Sequence, residues 1–186
     1  MTPIYVGAWR VDPVVRDGVA RPLPISVRSL GRSIASALDA AGAQKPASVG
    51  LILSGDRELA TLNEAHLGQR GPTDVLSFPL LPAESFPPHT ADADRGPEPV
   101  AGAAAGFTGP PGRRIHLGDI VVSVDRAIAQ ARAGRGGQTG DARWSPADEL
   151  RLLVTHGALH LCGWDHADAA EEREMRALER RLLAGS

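Results

Sequence analysis

Residues 115–131, IHLGDIVVSVDRAIAQA, change period at a single residue. The run from Ile115 to Val122 is apolar and β-branched over strand length, whereas Val124, Ala127, Ile128 and Ala131 recur at helical spacing. Ser123 stands at the junction as an N-cap. The same hand-over occurs upstream, where Val49, Leu51 and Leu53 alternate with Gly50 and Ile52, Ser54-Gly55 interrupts, and a helix carrying Leu59, Leu62 and Asn63 starts near Asp56. Val75-Leu76-Ser77-Phe78 is a further strand ended by Pro79, and Val27, Leu30, Ile34, Ala37 and Leu38 form a helix from Ser26 that Gly42 stops. Helix and strand therefore alternate along the first two thirds of the chain.

The last third is helical. Ser145 is a candidate N-cap with Pro146 at the first helical position, and Asp148 and Glu149 complement the positive end of the dipole in a helix reaching Cys162. Gly163 suits a left-handed C-terminal cap. A second amphipathic helix, Asp168 to Leu183, sets Met175, Leu178, Leu182 and Leu183 against five acids and four arginines, which read as a solvated face. Two stretches lack such a period. Residues 1–24, with prolines at 3, 13, 22 and 24, read as a loose extended arm or an edge strand. Residues 82–112 hold seven Pro and five Gly in 31 positions and read as an insertion without secondary structure. Arg135 to Gly140 reads as a flexible link.

With 186 residues, 42% hydrophobic and 23% charged, the chain fits one globular domain over 1–186 rather than two, and the composition excludes collagen-like and coiled-coil classes. A net charge of -2 gives no large positive field, so an RNA partner needs a local basic patch. Of the 20 basic residues all but Lys45 are Arg, a uniform excess that reads as codon composition and is not counted as a sign of RNA binding. The single cysteine, the lack of a basic-then-apolar leader and the absence of a membrane-length apolar run lead to the expectation of a cytoplasmic protein.

The stretch that carries chemistry is THGALHLCGWDH, Thr155 to His166. His156 and His160 lie four apart on one helix face, where two imidazole nitrogens can converge on one ion. On a continued helix His166 would sit about 9 Å further along the axis, but Gly163 allows the chain to turn back. Two histidines at this spacing are a weak signal. Three of the six histidines within 11 residues are a stronger one. Three neutral imidazoles on tetrahedral Zn²⁺ leave a fourth position open, the arrangement of a catalytic rather than a structural site. Cys162, two residues after His160, points to another side of the helix and reads as packing.

The spacing His-x3-His-x2-Gly-x2-His equals that of metzincin peptidases. Those enzymes place a Glu directly after the first His as proton acceptor, and this chain has Gly157 there. Phosphodiester cleavage fits a metal site lacking that Glu at least as well as peptide hydrolysis.

HGALHLCGWDH, together with PTDVLSFP at 72–79 and LGDIVVS at 117–123, resembles the YbeY family of bacterial endoribonucleases and rRNA maturation factors. The resemblance runs from about Val27 to Leu183 outside the insertion. It implies an α+β fold, a small mixed sheet packed with about five helices, and a metalloprotease-like zinc site on a helix-turn. One Zn²⁺ per chain would be held by His156, His160 and His166. It implies single-stranded RNA as substrate, with the small-subunit (16S) rRNA precursor and the ribosome as partners in maturation and quality control. After Leu62-Asn63 the family usually carries an aromatic-Arg pair, and here His66 and Leu67 occupy those positions, which leaves Arg70 as the candidate charge. Asp165, beside His166, and Asp119, at the end of its strand, are the remaining catalytic candidates, able to orient an imidazole or accept a proton. Two other readings stand beside this one: a zinc peptidase-like hydrolase, and a non-catalytic ribosome-associated zinc protein motivated by Leu67. Arg113, Arg114, Arg126, Arg132, Arg135 and Arg143 form a candidate phosphate-tracking stripe.

Overall fold

A computed structural model describes residues 1–88, 114–133, 144–165 and 169–185. Five strands, β1 (Ile4–Val6), β2 (Trp9–Val15), β3 (Ala47–Ser54), β4 (Val75–Pro79) and β5 (Ile115–Ser123), form one mixed sheet in the order β1-β2-β3-β5-β4. β2, β3 and β5 run parallel, and β1 and β4 close the two edges antiparallel. Five α-helices accompany it: α1 (Val27–Ala40), α2 (Asp56–Leu67), α3 (Val124–Arg132), α4 (Pro146–Leu161) and α5 (Ala169–Ala184). The fold is α+β, as the motifs implied.

Local chemistry places the helix starts. Ser26 and Ser123 each accept a hydrogen bond from the backbone N–H three residues on. Ser145 and Asp148 form a reciprocal capping box with Pro146 at the first position. Pairing between strands is less legible locally. Residues 1–24, read as a loose arm or edge strand, contain β1 and β2, and β2 lies inside the sheet between β1 and β3. Trp9 and Val11 point into the core because their alternation matches the inward face of β3. Pro13 is tolerated because β1 pairs only as far as Val11, leaving that edge open. The segment from Pro82 also departs from expectation: Ala83–Ser85 form a 3₁₀ turn, and Phe86 is buried in the core. The rest of the insertion, from His89, and the Arg135–Gly140 link lie outside the described residues.

α4 is the hub. It packs against α1, α3 and α5, and against β4 and β5 on one face of the sheet. α2 covers part of the opposite face, where Leu59 and Leu62 meet Ile52, Leu76, Phe78 and Val121. Gly157 lets α4 approach so closely: a Cβ there would stand 2.7 Å from Ile120 Cγ2 and 3.1 Å from Ser77 Oγ. The Ser77 hydroxyl donates to the Gly157 carbonyl at 3.0 Å.

Candidate metal centre

A flank of α4, beside the sheet-facing Gly157 and turned towards α5, carries the histidine pair. His156 and His160 stack edge to face, with ring centroids 4.5 Å apart and planes at 78°. Their Nε2 atoms face each other at 3.0 Å. Across from them, Oε1 of Glu179 on α5 lies 2.7 Å from His156 Nδ1. A carboxylate accepts, so the Nδ1–H of His156 donates to it, and in the neutral ring it is then Nε2 that carries the lone pair for an acceptor or ligand role.

This geometry fits a metal ion. Two nitrogens on tetrahedral Zn²⁺, each about 2.0–2.1 Å from it, stand roughly 3.3 Å apart, close to the separation seen here. The anchored Nδ1 is the hydrogen-bonding habit of metal-ligating histidine. His166 lies outside the described residues, and among those described no group of three His, Cys, Asp or Glu clusters as a metal site. The turn leading toward it is formed: Gly163, at φ +79°, takes the left-handed conformation, and its N–H donates to the His160 carbonyl at 3.1 Å.

Glu179 is one of the α5 charges that the sequence places on a solvated face, yet it is only 2% exposed. Its spacing carried the signal, since Met175, Leu178, Glu179 and Leu182 follow i, i+3, i+4, i+7 and place the acid on the apolar stripe. An acid on such a stripe needs a buried partner, and His156 is that partner.

The other site candidates are dispersed. Asp165 is exposed and directly precedes the undescribed 166–168. Arg70 is 92% exposed beyond the end of α2, with Nε 3.9 Å from Glu64 Oε1. Asp119 is on the wrong face of the sheet to serve the histidine pair. Ile120 packs beneath α4 while Asp119 and Val121 point to the α2 side, as strand alternation requires. There Asp119 Oδ1 lies over Gly50, where a Cβ would meet it at 2.0 Å, and 3.2 Å from His116 Nε2. Ser48 Oγ sits 3.0 Å from His116 Nδ1, so the carboxylate ends a polar row across β3 and β5.

The arginine stripe also divides. Arg114 precedes β5 and lies over the Tyr5 ring while donating to the Ala8 carbonyl, whereas Arg126 lies beyond the far end of the strand, 3.4 Å from Asp56. The nine residues of β5 between them span about 30 Å. Arg113, Arg135 and Arg143 are outside the described residues. Cys162 is fully buried in the core at the end of α4, where desolvation pushes its thiol up to about 12.

Fold and site together define an α+β protein whose central helix presents a carboxylate-anchored histidine pair ahead of a glycine turn. Residues 24–186 match the family model described as Endoribonuclease YbeY, and the chain belongs to that family. Endoribonuclease YbeY of Salinispora tropica is 40% identical over 80% of this chain and 80% of its own length. The Thermobifida fusca protein of that name is 35% identical over 94% and 92%, and that of Moorella thermoacetica 36% over 84% of each. A solution structure of a Thermotoga maritima protein aligns over 93% of this chain and 86% of that one, with 21% identity and a TM-score of 0.49. No helix among the described residues is long and apolar enough to cross a membrane.

Proposed function

We propose that this chain is a zinc-dependent endoribonuclease of single-stranded RNA that acts in the cytoplasm on the small-subunit rRNA precursor, in maturation and ribosome quality control. The observation that carries the reading is the facing Nε2 pair of His156 and His160 at 3.0 Å, with His156 Nδ1 anchored by Glu179. Family membership supports RNA as the substrate, since the relatives are named endoribonucleases.

His156, His160 and His166 would hold one Zn²⁺. When bound, the ion would supply Lewis acidity for a phosphate oxygen and lower the pKa of water towards about 7. The protein's own contributions are positional. Glu179 keeps the His156 ring in one orientation and one tautomer. Gly157 faces the sheet, where Ile120 and Ser77 leave no space for a side chain, so a Glu base of the metzincin kind has no place on α4. Proton transfer then falls to a residue outside the helix, and Asp165, exposed beside His166, is the proposed acceptor. Arg70, on the surface beyond α2, is the proposed source of positive charge for the scissile phosphate in place of Leu67.

Elemental analysis paired with cleavage of a single-stranded RNA by wild type and His160→Ala tests the reading. About one zinc per chain, with metal and cleavage both lost in the variant, is the expected result. Cleavage that survives the substitution overturns it. Stoichiometric zinc without cleavage of RNA favours a non-catalytic ribosome-associated protein, a reading that the 59% exposed Leu67 motivates.

A further inference from the structure

Away from the histidine pair, α1, α4 and α5 border an open pocket of about 340 Å³. Its polar lining includes Ser29, Arg32, Ser33 and Ser36 from α1, Arg151 from α4 and Arg181 from α5, and among the described residues no Asp or Glu lines it. Three arginines from three helices thus border one small space. Asp148, outside the lining, pairs with Arg151 at 3.0 Å and is itself tied to Ser145 in the capping box. Arg32 donates to Ser29 Oγ at 2.9 Å, a neutral acceptor that does not balance its charge. Arg32 and Arg181 are exposed, so their heads are accessible from solvent.

Like charges brought to one pocket repel unless an anion joins them. A planar guanidinium fork matches the oxygens of a phosphate, and serine hydroxyls add short neutral donors of the kind that complete such sites. Five residues at 100° each set Arg151 about 140° round α4 from His156, so the pocket opens on a different side of the helix from the paired Nε2 atoms. We propose that this pocket is a phosphate-binding site distinct from the histidine centre. The ligand chemistry is a phosphate group, carried either by the backbone of an RNA strand away from the point of cleavage or by a free phosphate compound. The RNA source rests on the proposed function; the anion site itself does not.

The test is calorimetric titration of the full chain with inorganic phosphate and with a single-stranded RNA oligonucleotide at several salt concentrations. Wild type is compared with the double variant Arg32→Ala/Arg181→Ala and with Arg57→Ala, an exposed arginine of α2, as control. Thermal melts check that the surface substitutions leave the fold intact. If backbone phosphates occupy the pocket, the double variant binds RNA about ten-fold more weakly, and its log–log salt slope falls by roughly 0.7 for each phosphate that the pocket no longer neutralises. Abolished phosphate binding with RNA affinity unchanged assigns the pocket to a small phosphate ligand. RNA and phosphate binding both unchanged in the double variant overturn the proposal, whereas phosphate binding by a protein that neither binds nor cleaves RNA sinks the nuclease reading and leaves the pocket standing.

Discussion

Glu179, on the buried stripe of α5, holds Nδ1 of His156 on α4 at 2.7 Å. The contact joins the two C-terminal helices through a polar pair in an otherwise apolar seam, and it turns His156 Nε2 towards His160 Nε2. A carboxylate only 2% exposed is costly without such a partner, so packing and site geometry depend on the same hydrogen bond.

Removing that carboxylate is expected to loosen the metal. Glu179→Ala should lower zinc affinity about 10–100-fold in a chelator competition assay. Glu179→Gln, which retains an acceptor oxygen for the Nδ1–H, should recover part of that affinity. Equal zinc affinity in wild type and Glu179→Ala would show that the ring needs no anchor.

Metal removal should affect the C-terminal helices before the sheet. A zinc ion bound to the native state and not to the unfolded chain stabilises by mass action, about 2.7 kcal/mol at a free concentration one hundred times its dissociation constant. Melting with and without excess chelator should therefore show a lower Tm for the stripped protein, and His156→Ala should melt at one temperature in both conditions. A chelator-sensitive His156→Ala would place the ion elsewhere.

Gly157 is a packing requirement of α4. In Gly157→Ala the new methyl meets Ile120 Cγ2 at 2.7 Å and Val75 Cγ2 at 3.3 Å. Overpacking costs about 1–3 kcal/mol, and the gain in helix propensity returns up to about 1 kcal/mol. A net destabilisation of about 1–2 kcal/mol should lower Tm by roughly 2–8 °C. A rise in Tm would contradict the close seating of α4 on β4 and β5.

Cys162 should be silent in the native state. Its side chain is fully buried, and loss of hydration raises its thiol to about 12. A thiol reagent at neutral pH should therefore label the chain only at the rate of unfolding. Because the unfolded thiol ionises near 9.0 and the folded one far higher, this group favours the native state fully below that value and withdraws its support as pH rises towards 12. Rapid stoichiometric labelling of folded protein would place Cys162 at the surface instead.

What was legible in the sequence was local. The change of period at Ser123, the cap and proline at Ser145-Pro146 and the glycine after Cys162 each act within a few residues, and the helices start and stop where they direct. His156 and His160 share a helix face because four residues make slightly more than one turn of 3.6, so their pairing needed no tertiary information. Tertiary structure decided everything that depended on which surfaces meet. β2 left the edge only because β3 and β1 flank it, and Phe86 was drawn into the core from a proline-rich run that has no period of its own. Asp119 lies in a motif that suggested catalysis, but the pleat of β5 turned it to the face opposite α4. Glu179 looked like one surface acid among five until α5 packed on α4 and removed it from water, and Arg32, Arg151 and Arg181 became neighbours by the same docking of α1, α4 and α5. Helical and strand periods are set by backbone geometry a few residues at a time, whereas partners 23 residues apart or more are selected by the burial of whole faces.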